Sequence, residues 1–223
     1  MTGTIVNTIA IIIGGTLGRF LGDKLTDSIK DVVMQGLSLA VLLIGLQMAL
    51  KANQIILVIF SLVIGGIIGE LLKIETKLEQ IGIWLEKTSG QKGEIVTGFV
   101  QCSLIYCIGA MAIMGAIQDG LQNNPATLYA KSLLDGFSAI AFSSTLGIGV
   151  ILSAFSVLIY QGSITLLASS LKGILTPTVV NEMTATGGLL IIGIAFNILE
   201  LTNIKVGNLL PAVFINVILV TLV

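Results

Sequence analysis

The chain is a succession of apolar stretches of near-spanning length separated by short polar segments, and that succession constrains its fold more than any single motif. About 20 apolar residues carry a helix across a hydrocarbon core. On that ruler the expected crossings are residues 3–21, 36–50, 54–72, 95–117, 129–150, 152–171, 184–199 and about 208–223. Hydrophobic residues make up 55% of the chain and charged residues only 10%, with a mean hydropathy of +1.05, which places it in the membrane class. The expected architecture is an all-α integral membrane protein of about eight transmembrane helices. No proline- or serine-rich linker and no charge-dense block separates the runs, so residues 1–223 are expected to form a single polytopic membrane domain. The first run has no basic residue ahead of it and no small-residue cleavage site, so it is expected to stay as the first span.

The same composition removes several function classes. A net charge of −1 offers no basic stripe to neutralise phosphates, so nucleic acid is not an expected partner. The chain has no histidine, which removes the commonest metal ligand and the usual proton shuttle; neither a metal nor a cofactor is expected. Cys102 and Cys107 are five apart in one apolar run, a spacing that suits neither a CxxC motif nor a disulfide, and they are expected to be buried thiols. Nothing assembles a nucleophile with a base, so an enzyme is not expected.

Between the runs, Gly22–Val33 alternates charges with spaced aliphatics and suggests an interfacial amphipathic helix. Lys73–Glu94 suggests a second, anchored by Trp84, with Glu75 and Glu79 on a solvated face. Residues 129–171 leave almost no loop, so they form either a tight hairpin or a broken helix near Ser143, Ser144, Thr145 and Gly147. Broken helices are expected in the central and carboxy-terminal spans. With the amino terminus outside, inner loops hold Arg19, Lys24, Lys30, Lys73, Lys77, Lys87, Lys92 and Lys205, leaving Lys51, Lys131 and Lys172 elsewhere. That asymmetry gives both termini outside.

Charge inside a span is costly, roughly +2.5 to +3.5 kcal/mol for one residue at mid-bilayer. Lys131 and Asp135 lie four apart within an apolar run, so on a helix they share a face and pair. Asp119 and Glu182 are candidate coupling or substrate-binding carboxylates, and Gln161 and Asn208 candidate uncharged ligands. Thr186, Gly187 and Gly188 follow Asn181 and Glu182 and are expected to open a half-helix whose free N–H groups dock an anion. Structural hydrogen bonding is the competing reading of each polar residue taken singly.

Two internal matches stand out. Ile11–Gly18 resembles Leu62–Gly69, and Leu42–Leu50 (LLIGLQMAL) resembles Leu190–Ile198 (LIIGIAFNI). Five crossings separate the second pair, an odd offset that predicts inverted repeats of the kind many secondary transporters carry. Gly14, Gly18, Gly65 and Gly69 form small-residue faces that favour close helix approach and would permit a homo-oligomer.

The segments GTIVNTIAIIIGGTLG at Gly3, GAMAIMGAIQDGL at Gly109, AKSLLDGFSAIAFSSTLGIGV at Ala130, YQGSITLLA at Tyr160, NEMTATGGLLIIGI at Asn181 and KVGNLLP at Lys205 carry a resemblance over essentially the full length. The chain resembles a bacterial family of uncharacterised membrane proteins, domain of unknown function five-five-four, the YqgA/YdfK type. The resemblance implies a polytopic protein of the bacterial inner membrane, with no catalytic residues to carry over. The expected function is transport of a small solute or ion through the polar central spans, with the lipid bilayer and that solute as partners. The alternatives are a passive channel and a scaffold or sensor that transports nothing.

Overall fold

The computed structural model describes residues 1–77, 80, 95–171 and 173–222, and its regular structure is helical, with no strand among the described residues. The helices are α1 (Thr2–Gly22), α2 (Asp27–Ala49), α3 (Ile55–Leu72), α4 (Ile95–Cys107), α5 (Ala110–Gln122), α6 (Ala126–Leu146), α7 (Ile148–Leu166), α8 (Ala168–Leu171), α9 (Pro177–Ile198), α10 (Val206–Leu209) and α11 (Pro211–Leu222). Five of them, α1, α2, α3, α7 and α9, are long and apolar enough to cross a membrane. A sixth crossing is counted if α4 and α5, bent by 59° on one another, act as one span. The other two expected crossings fall on α6, which has 21 residues but carries Lys131, Asp135 and four serines, and on the shorter apolar stretch Val206–Leu222.

Local chemistry sets the boundaries. Thr176 caps α9 by accepting from the Val179 N–H, and Pro177 occupies the first turn, where its missing N–H costs nothing. Between α6 and α7 the chain reverses at Gly147, whose φ of +66° suits a residue without Cβ. Residues 129–171 are therefore a hairpin with a one-residue hinge. The separate interfacial helix expected at Gly22–Val33 is not formed: a short turn follows Gly22 and α2 begins at Asp27, continuous with the second span. Trp84 and most of the second expected amphipathic segment lie outside the described residues.

Glycine sets the packing. α1 lies parallel to α6, and a Cβ at Gly14, Gly18 or Gly22 would strike the carbonyl oxygens of Gly136, Ile140 and Ser144 in turn. α2 runs antiparallel to α9, with Gly45 and Ala49 against Gly188. α3 runs antiparallel to α10 and α11, with Gly69 on Asn208, Gly65 on Ala212 and Ser61 on Asn216. α4 lies parallel to α7, joined by a hydrogen bond of 3.0 Å from Ser103 Oγ to Ser156 Oγ. The small-residue faces of Gly14, Gly18, Gly65 and Gly69, expected to favour close helix approach, pack against helices of the same chain, because backbone approach is closest where neither helix has a side chain.

The outer surface is apolar. Ile13 and Phe20 on α1, Phe60 on α3, Phe137 on α6, Phe155 on α7 and Phe214 on α11 are exposed, as a lipid-facing belt requires. α9 forms the centre, with 78% of its spanning stretch buried against 22% for α3. Replacing Gly14 by leucine should force α1 off α6 and lower thermal stability in detergent by at least the ~1–3 kcal/mol typical of overpacking. Gly36→Ala, which meets nothing within 4 Å, should leave the melting temperature unchanged or slightly raised.

Candidate functional site

The stripe Thr4, Asn7, Ile11, Gly14, Gly18 on α1 recurs at helical spacing and is buried along its length. It turns Asn7 towards the α6–α7 hairpin, whose reversal at Gly147 brings Asp135 and Gln161 to the same depth. Asn7 Nδ2 donates to Asp135 Oδ2 at 2.9 Å and to Gln161 Oε1 at 3.3 Å. Lys131 Nζ lies 2.9 Å from Asp135 Oδ1 and 2.8 Å from Oδ2, one helical turn away as the spacing predicts. Lys131 is 8% exposed, Asp135 6%, and Asn7 and Gln161 fully buried. Two helices therefore meet at one carboxylate, and α7 joins them through Asn7.

Each remaining polar capacity in the cluster has a definite state. Asp135 has acceptors only, so Asn7 must present its amide N–H groups and its Oδ1 faces away without a partner; Gln161 Nε2 is also unpartnered. An unsatisfied buried group costs about 1–3 kcal/mol. Above the cluster, the Thr4 and Thr165 hydroxyls lie 3.4 Å apart. Below it, Ser138 Oγ bonds the Asp135 carbonyl at 3.0 Å and the fully buried Tyr106 hydroxyl at 3.4 Å. Cys102 and Cys107 are free, buried thiols, as expected.

The other expected site residues are dispersed, and most serve helix ends. Asp119 Oδ2 accepts the Gly3 N–H at 3.1 Å and lies 3.0 Å from the Met1 amine, so it caps α1 from α5. Glu182 is fully buried on α9, and its Oε1 accepts the Asn53 and Gln54 N–H groups at 2.7 and 3.1 Å, capping α3. Asn208 sits at the opposite end of the bundle, accepting the Glu75 N–H at 2.8 Å and donating to Glu70 at 2.6 Å. Glu75 is not on a merely solvated face: its Oε2 accepts the Gly207 N–H at 2.6 Å. A helix start carries unpaired donors and a partial positive charge, which a carboxylate from a neighbouring helix satisfies on both counts.

Thr186, Gly187 and Gly188 do not open a half-helix. α9 is continuous through them, so their backbone N–H groups lie inside a helix whose start is at Thr176. Thr186 Oγ1 bonds the Glu182 carbonyl, while a Cβ on Gly187 would meet Ile108 and one on Gly188 the α2 backbone. These glycines admit neighbours.

Neither member of the buried pair lines the polar cavities near Gln101. One, of about 580 Å3, lies between α2, α4 and α9 and includes Asp31, Gln35, Thr97, Gln101, Asn197 and Glu200 in its wall. A second, of about 260 Å3, shares Thr97, Gln101 and Asn197 with it. Sequence reasoning missed these residues and Asn7. The periodic stripe on α1 was the available signal for Asn7; the cavity depends on how three helices splay, for which no local pattern exists.

An all-α protein with an apolar exterior and a charged pair closed into its interior is a membrane protein. The chain belongs to the family described as Protein of unknown function (DUF554), whose model matches residues 2–221. It is 31% identical to the Uncharacterized membrane protein YdfK of Bacillus subtilis (strain 168) over 219 residues, covering 96% of this chain and 93% of that protein. It is 27% identical to the Uncharacterized protein YqgA of Escherichia coli (strain K12) over 220 residues, with the same two shares covered. No solved structure matches the chain.

The capping geometry has a measurable consequence. Glu182→Leu strands two N–H groups at the start of α3 and should cost about 1–3 kcal/mol in thermal or denaturant unfolding. Glu182→Gln keeps an acceptor oxygen and should cost less. Equal losses would mean that the cap does not hold α3.

Proposed function

We propose that the chain is a carrier of a small solute or ion in the bacterial inner membrane, with both termini outside. The observation behind this reading is the Lys131–Asp135 pair, held in the bundle interior by the Asn7 amide of α1, which also bonds Gln161 of α7. Two buried charges cost desolvation that a well-packed apolar pair avoids, and such replacement is often neutral or stabilising. Charge kept at that cost is best accounted for by use. The absence of a nucleophile–base set from the sequence favours moving a solute over reacting with it.

An inverted repeat supports the carrier reading over a passive channel. The match of Leu42–Leu50 to Leu190–Ile198 sets an offset of 148 residues (190 less 42). The same offset carries α1 onto α7, α2 onto α9 and α3 onto α10 and α11. In each pair the two helices are packed antiparallel: Thr4 meets Thr165, Gly45 meets Ile192, and Gly65 meets Ala212. Helices of one origin running in opposite directions are the arrangement on which alternating access is built in many transporters.

The orientation rests on charge. Arg19, Lys24, Lys73, Lys77 and Lys205 belong to the Gly147 end of the bundle, where α1 and α3 finish, whereas Lys51 follows the end of α2 at the other. Basic loops stay in the cytoplasm. A single cysteine placed at Lys87 should be modified by a membrane-impermeant maleimide only after the cytoplasmic face is opened. Labelling of intact cells would reverse the orientation.

The pair itself is tested by removing both charges together. Asp135→Asn alone leaves Lys131 unpaired and should destabilise by ~3–5 kcal/mol, which does not separate function from structure. Lys131→Leu with Asp135→Met strands neither partner; the double variant should fold with equal or higher thermal stability. Solute or proton-coupled uptake in proteoliposomes, at matched insertion, should fall to background. It should persist in Asp23→Asn, which touches only an exposed ion pair with Arg19. Wild-type uptake by the double variant would remove the pair from the pathway and leave a structural scaffold as the better reading.

A further inference from the structure

The polar cavity between α2, α4 and α9 is separate from the buried pair and has no part in the transport argument above. Its wall is built by regular helices. Asp31 and Gln35 are four apart on α2, Thr97 and Gln101 are four apart on α4, and Asn197 and Glu200 stand at the end of α9. Such spacing puts the α2 pair and the α4 pair each on one side of its helix, and Asn197 in the last turn of α9, with Glu200 two residues beyond the helix end, brings further polar groups to the same space. The volume, about 580 Å3, lies within the range of roughly 300–1,000 Å3 usual for small-molecule sites and is far larger than a bare ion requires.

Among the described residues, the charge on this wall has one sign. Asp31 and Glu200 are carboxylates, and no lysine or arginine is among the described residues that line either polar cavity. Arg19, Lys24, Lys73, Lys77 and Lys205 belong to the same end of the bundle, yet none lines the wall, so the one-sign lining is not a general property of that end. Asn197 is already engaged, donating to the Ile204 carbonyl and accepting from Thr202 and the Ile204 N–H, and therefore shapes the wall without offering a free contact. The groups left to meet a ligand are acceptors at Asp31 and Glu200 and neutral polar groups at Gln35, Thr97 and Gln101. A one-sign cleft with low-dielectric sides concentrates counter-ions.

We infer that this cavity binds a small organic cation bearing amine or guanidine groups, its charge met by Asp31 and Glu200 and its remaining N–H groups by the amide and hydroxyl side chains. Binding here does not require that the protein transport anything, so the two readings fail separately.

The test uses the full chain in nanodiscs and isothermal titration with agmatine, with succinate and xylitol as anionic and neutral comparisons. Agmatine should bind saturably at one site per chain, more weakly as salt is raised, and succinate and xylitol should not bind. The double variant Asp31→Asn, Glu200→Gln changes two exposed side chains and should keep its melting temperature while losing roughly tenfold or more in affinity, the scale expected when charges facing a cation are neutralised. Asp23→Asn, an exposed carboxylate outside the cavity, should bind as the wild type does. No saturable agmatine binding, equal binding by the double variant, or preference for succinate would each overturn the inference. Saturable agmatine binding together with wild-type uptake by the Lys131→Leu, Asp135→Met variant would keep this site and remove the pair from the pathway; loss of uptake in that variant without agmatine binding would do the reverse.

Discussion

Every backbone polar group inside a bilayer must find its partner within the protein, and the arrangement of this bundle follows from that constraint. The exposed starts of helices are its hardest case, because four N–H groups at each lack intrahelical acceptors. Here acidic side chains from sequence-distant helices supply them. Asp119 on α5 serves α1, Glu182 on α9 serves α3, and Glu75, just beyond α3, serves α10. Each cap also fixes a tertiary contact. A carboxylate that satisfies a helix start in this way brings two helix termini into one register, so termination and packing are not independent choices in this chain.

The same economy explains why α1 is the helix on which α6 and α7 align. Its buried stripe alternates hydrogen-bonding residues near the start with glycines further on, so one face performs two tasks. Gly14, Gly18 and Gly22 let the α6 backbone come within contact, and that closeness carries Asn7 to hydrogen-bonding distance of Asp135. A larger residue in the glycine seam would move Asn7 away from the carboxylate even though the two features are two helical turns apart. Electrostatics at the centre of the bundle thus depends on steric fit elsewhere along the same helix.

How far the sequence revealed this can be judged residue by residue. Membrane class, helical architecture and family were legible because hydropathy and motif content are local and strong. The Lys131–Asp135 pair was legible for the same reason: four residues on a helix is a fixed distance. Its third partner, Asn7, was not, since contact across 128 positions depends on a parallel packing that neither helix encodes alone. Asp119 and Glu182 were singled out as candidate coupling or substrate-binding carboxylates, but the donors they meet across the bundle are backbone N–H groups, which leave no side-chain signature. Gly187 and Gly188 show the converse error. Adjacent glycines signal both a helix break and a close approach, and only the neighbouring α2 and Ile108 decide for the second.

The register also limits how the centre of the bundle could open. α1 and α6 are locked along a seam of backbone contacts, so they move as one body or lose their packing altogether. α7 is tied to that body at its far end by lighter bonds: the 3.3 Å contact between Gln161 and Asn7, and the 3.4 Å approach of Thr165 to Thr4. Its connection to α6 is Gly147 alone, a residue whose backbone reaches conformations closed to others. Opening a route to Asp135 by rotating α7 about Gly147 breaks those two hydrogen bonds, exposes the unpartnered Nε2 of Gln161 and separates Gly15 from Ile151, Gly120 from the Thr165 carbonyl and Gly149 from the Ile95 carbonyl unless α4 and α5 move with it; opening it between α1 and α6 would break the glycine seam. A polar contact broken into water is largely recovered by hydration, whereas dispersion lost from a close-packed seam is not, so the route that opens is the one that keeps the glycine contacts of α7 with α4 and α5 as well as those of α1 with α6.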